Sequence, residues 1–348
     1  LPQLVQLGTQ AEEQLGTVPV SGPLVDRFGR THSDLRISVT DRCNIRCFYC
    51  MPETGAEFLK ARDLLTFDQI QRFAMAAVAL GIDKIRLTGG EPLLRPRLPE
   101  LVARISALPG VRDLALTTNG VLLAELARPL HEAGLRRLNV HLDTLDRERF
   151  RLISRRDELG RVLAGLEAAK KSGYHVVKIN AVAIKGLNEP DVVSLVRFGR
   201  ENAMEVRFIE FMPLDAQHLW SLDRVLTADD MIQMLEREFG PLEPVPDADP
   251  RAPATEYRFA DSYRVGFIAS VSRPFCMNCN RLRLTSDGKM RYCLFANEET
   301  DVRPLLSGQS ADDLETAIRS TVWKKWIGHE INRVGFVAPQ RPMYAIGG

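Results

Sequence analysis

The chain has six cysteines, and they fall into two groups of three: Cys43-x3-Cys47-x2-Cys50 and Cys276-x2-Cys279-x13-Cys293. Three thiolates are one short of a closed four-coordinate zinc site. A 4Fe–4S cubane held by three cysteines keeps one iron without a protein ligand, and that iron can bind a substrate or cofactor. The first group therefore reads as an open iron–sulfur site, with structural zinc and a distant fourth ligand as the other reading. Tyr49 before the third cysteine and the turn Gly89-Gly90-Glu91-Pro92 favour iron–sulfur. The second group reads as another open cluster, as zinc, or as buried thiols. A disulfide scaffold would be short and cysteine-dense, and 348 residues with six cysteines are neither. A reducing compartment, hence the cytoplasm, is the expected location.

Arg281 and Arg283 follow Cys279 at alternate positions, so on a strand they face the same way. Two planar guanidiniums aimed together suit phosphate oxygens; a solvated strand face is the plainer alternative. The whole chain gives no such pull. Its 46 basic and 45 acidic residues leave a formal charge of +1, which argues against general binding to nucleic acid or an anionic membrane. The longest apolar run, residues 73–80, is far below the roughly 20 residues of a membrane span. The first residues lack the basic-then-apolar order of a secretion signal. Apolar residues at 45% and charged ones at 26% are ordinary for a folded chain.

Strand-like segments at 35–40, 84–88, 113–118, 136–142, 175–184 and 204–212 alternate with helical ones at 66–80, 97–108, 122–133, 158–172, 189–201 and 227–239. Thr66 and Gln69 have capping-box spacing, with Gly81 as the stop. Such alternation gives a parallel sheet covered by helices. Six units are fewer than the eight of a closed barrel, so an open twisted sheet and an incomplete barrel both fit. The first cysteine group then lies at the carboxyl end of the first strand, where such folds carry their sites. A Pro-rich, acidic stretch at 241–254 marks a linker or a surface excursion. Short strands at 256–260 and 263–271, a hairpin turn at Ser286-Asp287-Gly288-Lys289 and a helix near 311–327 complete the chain. Three parts are expected: an arm at 1–24, a barrel at 25–240, and a carboxy-terminal segment at 241–348.

CNIRCFYC and TGGEP resemble the cluster motif and glycine-rich segment of the radical S-adenosylmethionine superfamily. DRFGR, DLRISVTDRC, LTTNG, RFIEFM, FCxxCNRLRLTSDGKxxxCLF and the final Gly347-Gly348 resemble one family within it, the GTP 3′,8-cyclases of molybdenum cofactor biosynthesis (MoaA proteins). The similarity runs from about Val25 to the end.

The resemblance implies an α/β fold, an incomplete (β/α)6 TIM-like barrel whose open side is closed by the carboxy-terminal segment. It implies two 4Fe–4S clusters, on Cys43, Cys47 and Cys50 and on Cys276, Cys279 and Cys293, with S-adenosylmethionine at the first and the guanine ring of GTP at the second. A 5′-deoxyadenosyl radical would take hydrogen from the ribose 3′ carbon, and the new radical would attack carbon 8 of guanine. The product would be 3′,8-cyclo-7,8-dihydro-GTP, passed to a MoaC-type cyclic pyranopterin monophosphate synthase. S-adenosylmethionine contacts would fall at Tyr49, Gly90, His141 and Met212. GTP contacts would fall at Arg36, Arg86, Thr117, Lys178, Arg281 and Arg283, the last two catalytic together with the tail glycines Gly347 and Gly348. The family implies a homodimer and a lyase activity; the electron donor is not legible. His141 stands where the family usually has Ser. An imidazole there would make cofactor binding sensitive to pH between about 5.5 and 7.5, whereas a strand-end histidine would not. Two rivals are a peptide-modifying radical enzyme with auxiliary clusters and a zinc-bearing nucleic-acid module.

Overall fold

The computed structural model describes residues 16–214, 217, 219–308, 310–329, 331 and 336–347. Most of the expected amino-terminal arm and the last glycine, Gly348, lie outside the described residues.

The alternation predicted from sequence is present. Six strands, β1 (Asp34–Ser38), β2 (Lys84–Thr88), β3 (Asp113–Thr118), β4 (Arg137–His141), β5 (Val176–Ala183) and β6 (Glu205–Glu210), pair in parallel in chain order. Between and after them run α1 (Phe67–Ala79), α2 (Leu98–Ser106), α3 (Leu123–Glu132), α4 (Arg147–Ser154), α5 (Leu159–Lys171), α6 (Asp191–Asn202) and α7 (Ala228–Phe239). Helix α1 starts where its sequence says: Thr66 accepts from the Gln69 amide and the Gln69 side chain accepts from the Thr66 amide, a pairing worth about 1 kcal/mol. Its buried side, Ile70, Phe73, Ala74 and Ala77, packs on the sheet.

Helix α4 was missed. Half of its sequence, RERFRLIS, is charged, and only Phe150, Ile153 and Ser154 are buried. Its signal was Asp146, which accepts from the Arg149 amide at 2.7 Å as an N-cap. The helix is held from the other side by the cysteine loop, with Arg46 N donating to Ser154 O at 2.8 Å and Phe48 N to Ile153 O at 3.1 Å.

The carboxy-terminal segment enters the same sheet at both edges. It supplies β7 (Glu243–Pro244), β8 (Thr255–Arg258), β9 (Arg264–Ile268), β10 (Arg281–Leu284), β11 (Lys289–Arg291) and β12 (Thr300–Asp301), then α8 (Arg303–Ser307), α9 (Ala311–Trp323) and α10 (Met343–Ile346). Strand β9 pairs in parallel with β6, and β10 pairs in parallel with β1. The strand order is β12-β11-β10-β1-β2-β3-β4-β5-β6-β9-β8-β7, so the sheet stays open. Residues 269–280 link its two halves across the open side and carry Cys276 and Cys279. The fold is therefore an incomplete barrel, with eight parallel strands abreast where the repeat alone gave six.

The predicted hairpin is the β10–β11 turn, with Gly288 at φ +85°. The helix expected to reach 327 stops at Trp323. Beyond it, the carbonyls of Trp326 and Ile327 accept from the Arg30 guanidinium at 2.5 and 2.9 Å.

Side-chain alternation divides each parallel strand. Leu35, Ile37, Ile85, Leu87, Leu282 and Leu284 are buried in the apolar core. Arg36, Arg86, Arg281 and Arg283 alternate with them and line the barrel interior.

Candidate active site

The barrel encloses a cavity of about 310 Å³, within the usual range for ligand sites. All six cysteines line it, as do Tyr49, Gly90, His141, Met212, Arg36, Arg86, Thr117, Arg281 and Arg283. Most of the residues singled out from the sequence thus meet in one place. Lys178 is absent from the lining. Its ammonium is held by Glu205 at 2.7 Å and Glu256 at 3.6 Å.

The first triad follows β1. Asn119 donates to the Cys43 sulfur at 3.6 Å and to Asn44 Oδ1 at 2.7 Å. The backbone N–H groups of Ile45 and Tyr344 bond Cys43 and Cys50. Burial pushes Cys43 up to about 12 and Cys50 well above its usual value, with the neighbouring thiols adding to both. In the second triad the N–H groups of His329 and Arg281 bond Cys276 and Cys279. Burial pushes Cys276 up to about 11. Burial also acts on Cys279, but Lys325 and Arg281 outweigh it and bring that thiol down to about 6. Among the described residues no three His, Cys, Asp or Glu side chains are gathered to hold a single metal ion. A cubane places its cysteines on separate irons, and N–H donors aimed at sulfur are what such a cluster uses. Both triads fit an iron–sulfur cluster with one open iron.

The glycine-rich segment is set by backbone packing. A Cβ on Gly90 would lie 2.5 Å from Arg42 O and 2.6 Å from Asp41 O. The Gly90 and Glu91 amides donate to Thr40 O and Arg42 O, each at 2.7 Å. The Glu91 carboxylate, fully buried, accepts from Thr118 Oγ1 at 2.7 Å and from the Asn119 and Leu93 amides at 2.6 and 2.9 Å. Cysteine loop, glycine turn and the end of β3 are one hydrogen-bonded unit.

Tyr49 OH lies 2.6 Å from His141 Nε2 and donates to Asp143 Oδ2 at 2.5 Å, and His141 Nε2 lies 3.0 Å from the same oxygen. Burial pulls the imidazole down, but Asp143 and Cys47 outweigh it and hold it well above its usual value. The protonated imidazole is therefore favoured beside the Asp143 carboxylate. In His141→Ser the short hydroxyl reaches neither partner. The expected result is about tenfold weaker S-adenosylmethionine binding by equilibrium titration, about 1.4 kcal/mol. Unchanged affinity would leave His141 a strand-end residue only.

The cationic wall is set by register. Arg36 is level with Arg86 on one side and Arg283 on the other, and neighbouring strands are only about 4.8 Å apart. Arg36, Arg86 and Arg283 have no carboxylate partner among the described residues, and the Nε atoms of Arg36 and Arg86 are buried without any acceptor. Burial, and then the neighbouring guanidiniums, bring Arg36 and Arg86 down to about 9 and Arg283 to about 10. Arg207, by contrast, is neutralised by Glu205 and Glu256 at 2.6 and 2.7 Å. A row of buried guanidiniums without carboxylate partners carries a desolvation cost that a bound anion would offset.

The tail enters this wall. Arg283 Nη1 donates to Gly347 O at 2.5 Å. Gly347 has φ +91°, and a Cβ there would lie 2.7 Å from Ser38 Cβ and 2.9 Å from Thr88 Oγ1. Only glycine passes between these strand ends without displacement.

Glu210, at the end of β6, escaped the sequence reading, although it lies within RFIEFM. It is fully buried and accepts from Ala228 N at 2.9 Å, from the Val271 and Ser272 amides at 2.8 Å each, and from Ser272 Oγ at 2.5 Å. It ties down the start of the segment carrying Cys276 and Cys279. Glu210→Gln turns an NH2 toward backbone donors, at about 1–3 kcal/mol for each group left unpaired. The expected outcome is loss of iron from the second triad with the first intact, read by iron content and EPR. Full iron occupancy would contradict it.

Comparison with known proteins agrees with this geometry. Residues 37–199 match the radical SAM superfamily and residues 204–331 the Molybdenum Cofactor Synthesis C family. The chain is 48% identical to a GTP 3′,8-cyclase of Rhodopirellula baltica, covering 93% of this chain and 92% of that protein. It is 50% identical to GTP 3′,8-cyclase 2 of Mycobacterium bovis, covering 95% and 94%. Solved structures of similar fold include SuiB of Streptococcus suis bound to S-adenosylmethionine, at TM-score 0.59 and 16% identity over 86% of this chain and 68% of that one. Another is anSMEcpe with bound AdoMet, at TM-score 0.56 and 16% identity over 84% and 81%. Near 50% identity along almost the whole chain, with both family models in order, means that the chain belongs to the GTP 3′,8-cyclase family of the radical S-adenosylmethionine superfamily.

Proposed function

We propose that this chain converts GTP to 3′,8-cyclo-7,8-dihydro-GTP, a lyase reaction that opens molybdenum cofactor synthesis. The observation that carries the reading is the row of buried arginines, without carboxylate partners among the described residues, that lines one cavity together with both thiol triads. Cys43, Cys47 and Cys50 would hold one 4Fe–4S cluster, and Cys276, Cys279 and Cys293 a second. When bound, S-adenosylmethionine at the first cluster supplies, after one-electron reduction, a 5′-deoxyadenosyl radical able to abstract hydrogen. Tyr49, Gly90, His141 and Met212 would orient that cofactor. Arg36, Arg86, Arg281 and Arg283 would take the triphosphate, Thr117 would hydrogen-bond the nucleotide, and Lys178 would serve once it exchanges Glu205 for it. Gly347 and Gly348 would bring main chain to the reacting sugar.

The balance is simple. GTP loses a hydrogen atom at carbon 3′ and gains a bond from 3′ to carbon 8. One electron and one proton then complete the dihydro ring, so the product is an isomer of GTP. The protein's own work is to place the two carbons together and keep water away. A one-electron reductant is required. A MoaC-type synthase would consume the product, a homodimer is the expected assembly, and the reduced thiols suit the cytoplasm. No helix among the described residues is long and apolar enough to cross a membrane.

The test is anaerobic turnover of iron- and sulfide-reconstituted protein with S-adenosylmethionine, dithionite and GTP. The reading expects GTP-dependent 5′-deoxyadenosine and a GTP isomer of altered retention. Deoxyadenosine formation with GTP untouched would overturn the substrate, and absence of both in fully loaded protein would overturn the activity.

A further inference from the structure

Lys325 lies just beyond α9 and is 3% exposed. Its ammonium donates to Arg281 O at 2.8 Å and Tyr292 O at 2.7 Å. Those carbonyls sit two residues after Cys279 and one before Cys293, so a single side chain ties together the start of β10 and the end of β11, next to two of the three thiols. Its charge also falls on Cys279. Among the described residues no carboxylate pairs with Lys325. A buried ammonium whose partners are two neutral carbonyls and the Cys279 sulfur pays a desolvation cost that negative charge at that sulfur would offset.

The segment around Lys325 is fixed from behind. Arg30 Nη1 donates to Cys276 O at 2.8 Å, and its fork reaches the carbonyls of Trp326 and Ile327. Arg30 Nε pairs with Asp26 at 2.6 Å, and His32 lies 3.1 Å from the same carboxylate oxygen. The DRFGR motif thus acts as the clamp that holds Lys325 against the second triad.

We propose that Lys325 is the fixed positive charge of the second triad: it positions the chain segments beside Cys279 and Cys293 and raises the reduction potential of the cluster bound there. The proposal rests on the two-cluster reading above. Reduction adds negative charge to a cluster, and a buried cation beside a ligand stabilises the reduced form; net charge and hydrogen bonding near the sulfurs are the levers that set such potentials.

The test is an EPR-monitored redox titration of the full-length, anaerobically reconstituted protein. The second cluster's signal is identified by its loss in Cys276→Ala/Cys279→Ala/Cys293→Ala. Lys325→Gln keeps two N–H donors and removes the charge; Lys325→Arg keeps the charge. The expected result is that the Gln variant retains its iron while its midpoint falls by about tenfold in the one-electron equilibrium, about 59 mV, and that Arg returns the midpoint toward wild type. Iron lost from the Gln variant but kept in the Arg variant also assigns the role to the charge. An unchanged midpoint in Gln, equal shifts in Gln and Arg, or iron lost from both would overturn the proposal. If the triple cysteine variant binds as much iron as wild type, the two-cluster reading fails first, visible before any Lys325 variant is compared, and the proposal falls with it.

Discussion

Arg283→Ala is expected to lower kcat/KM for GTP by roughly 30- to 5,000-fold, the equivalent of about 2–5 kcal/mol for truncating one partner of a buried charge contact. Arg283 stands level with Arg36 and next to Arg281 along its own strand, and its guanidinium holds the tail at Gly347 O. The same change should not lower the melting temperature of the nucleotide-free protein. Burial and the neighbouring guanidiniums already depress the Arg283 pKa, so its charge opposes folding until an anion binds. A residue that weakens the empty fold and strengthens the complex is kept for function. Arg283→Lys keeps the charge but loses the planar fork and should fall between. Isothermal titration with GTP and calorimetry of the free protein check both halves. A variant that melts earlier yet binds GTP normally would show that Arg283 supports the sheet and nothing more.

Gly90→Ala should remove the first cluster and with it all cleavage of S-adenosylmethionine. The added methyl would sit 2.5 Å from one backbone carbonyl and 2.6 Å from another. Neither can move without parting the glycine turn from the cysteine loop, whose amide–carbonyl bonds at 2.7 Å hold Cys43 in place. Overpacking of this kind costs about 1–3 kcal/mol, localised where the three thiols must converge. Gly160→Ala is the control. Gly160 lies in α5 with no atom within 4 Å of its added Cβ, and alanine in a helix gains roughly 0.5–1 kcal/mol over glycine. Iron content and 5′-deoxyadenosine yield separate the two. Full iron in Gly90→Ala would mean that the turn yields more readily than its contacts imply.

The barrel was legible because each strand shows branched residues bounded by helix stops, as KIRLT and DLALTT do. The edges were not. Strands β9 and β10 are parallel partners of β6 and β1, yet they are only twelve residues apart, and no local pattern announces pairing with opposite ends of a sheet. Helix α4 was hidden by its charges, because it buries little and is held by the cysteine loop. Cysteine spacing revealed both triads, and alternation put Arg281 and Arg283 on one face. That Arg36 and Arg86 join them depends on register between strands, a long-range property. Lys178 illustrates the converse: its position on β5 matched the family pattern, but the sequence gives no hint of Glu205 and Glu256 beside it. Glu210, Arg30 and Lys325 act through backbone partners far along the chain, which spacing cannot reveal.

The most direct test of the central claim is turnover with GTP carrying deuterium at the ribose 3′ position. Hydrogen abstraction from that carbon predicts 5′-deoxyadenosine one mass unit heavier, formed in step with the cyclised nucleotide. Unlabelled deoxyadenosine alongside consumed GTP would contradict it and place the abstraction at another atom.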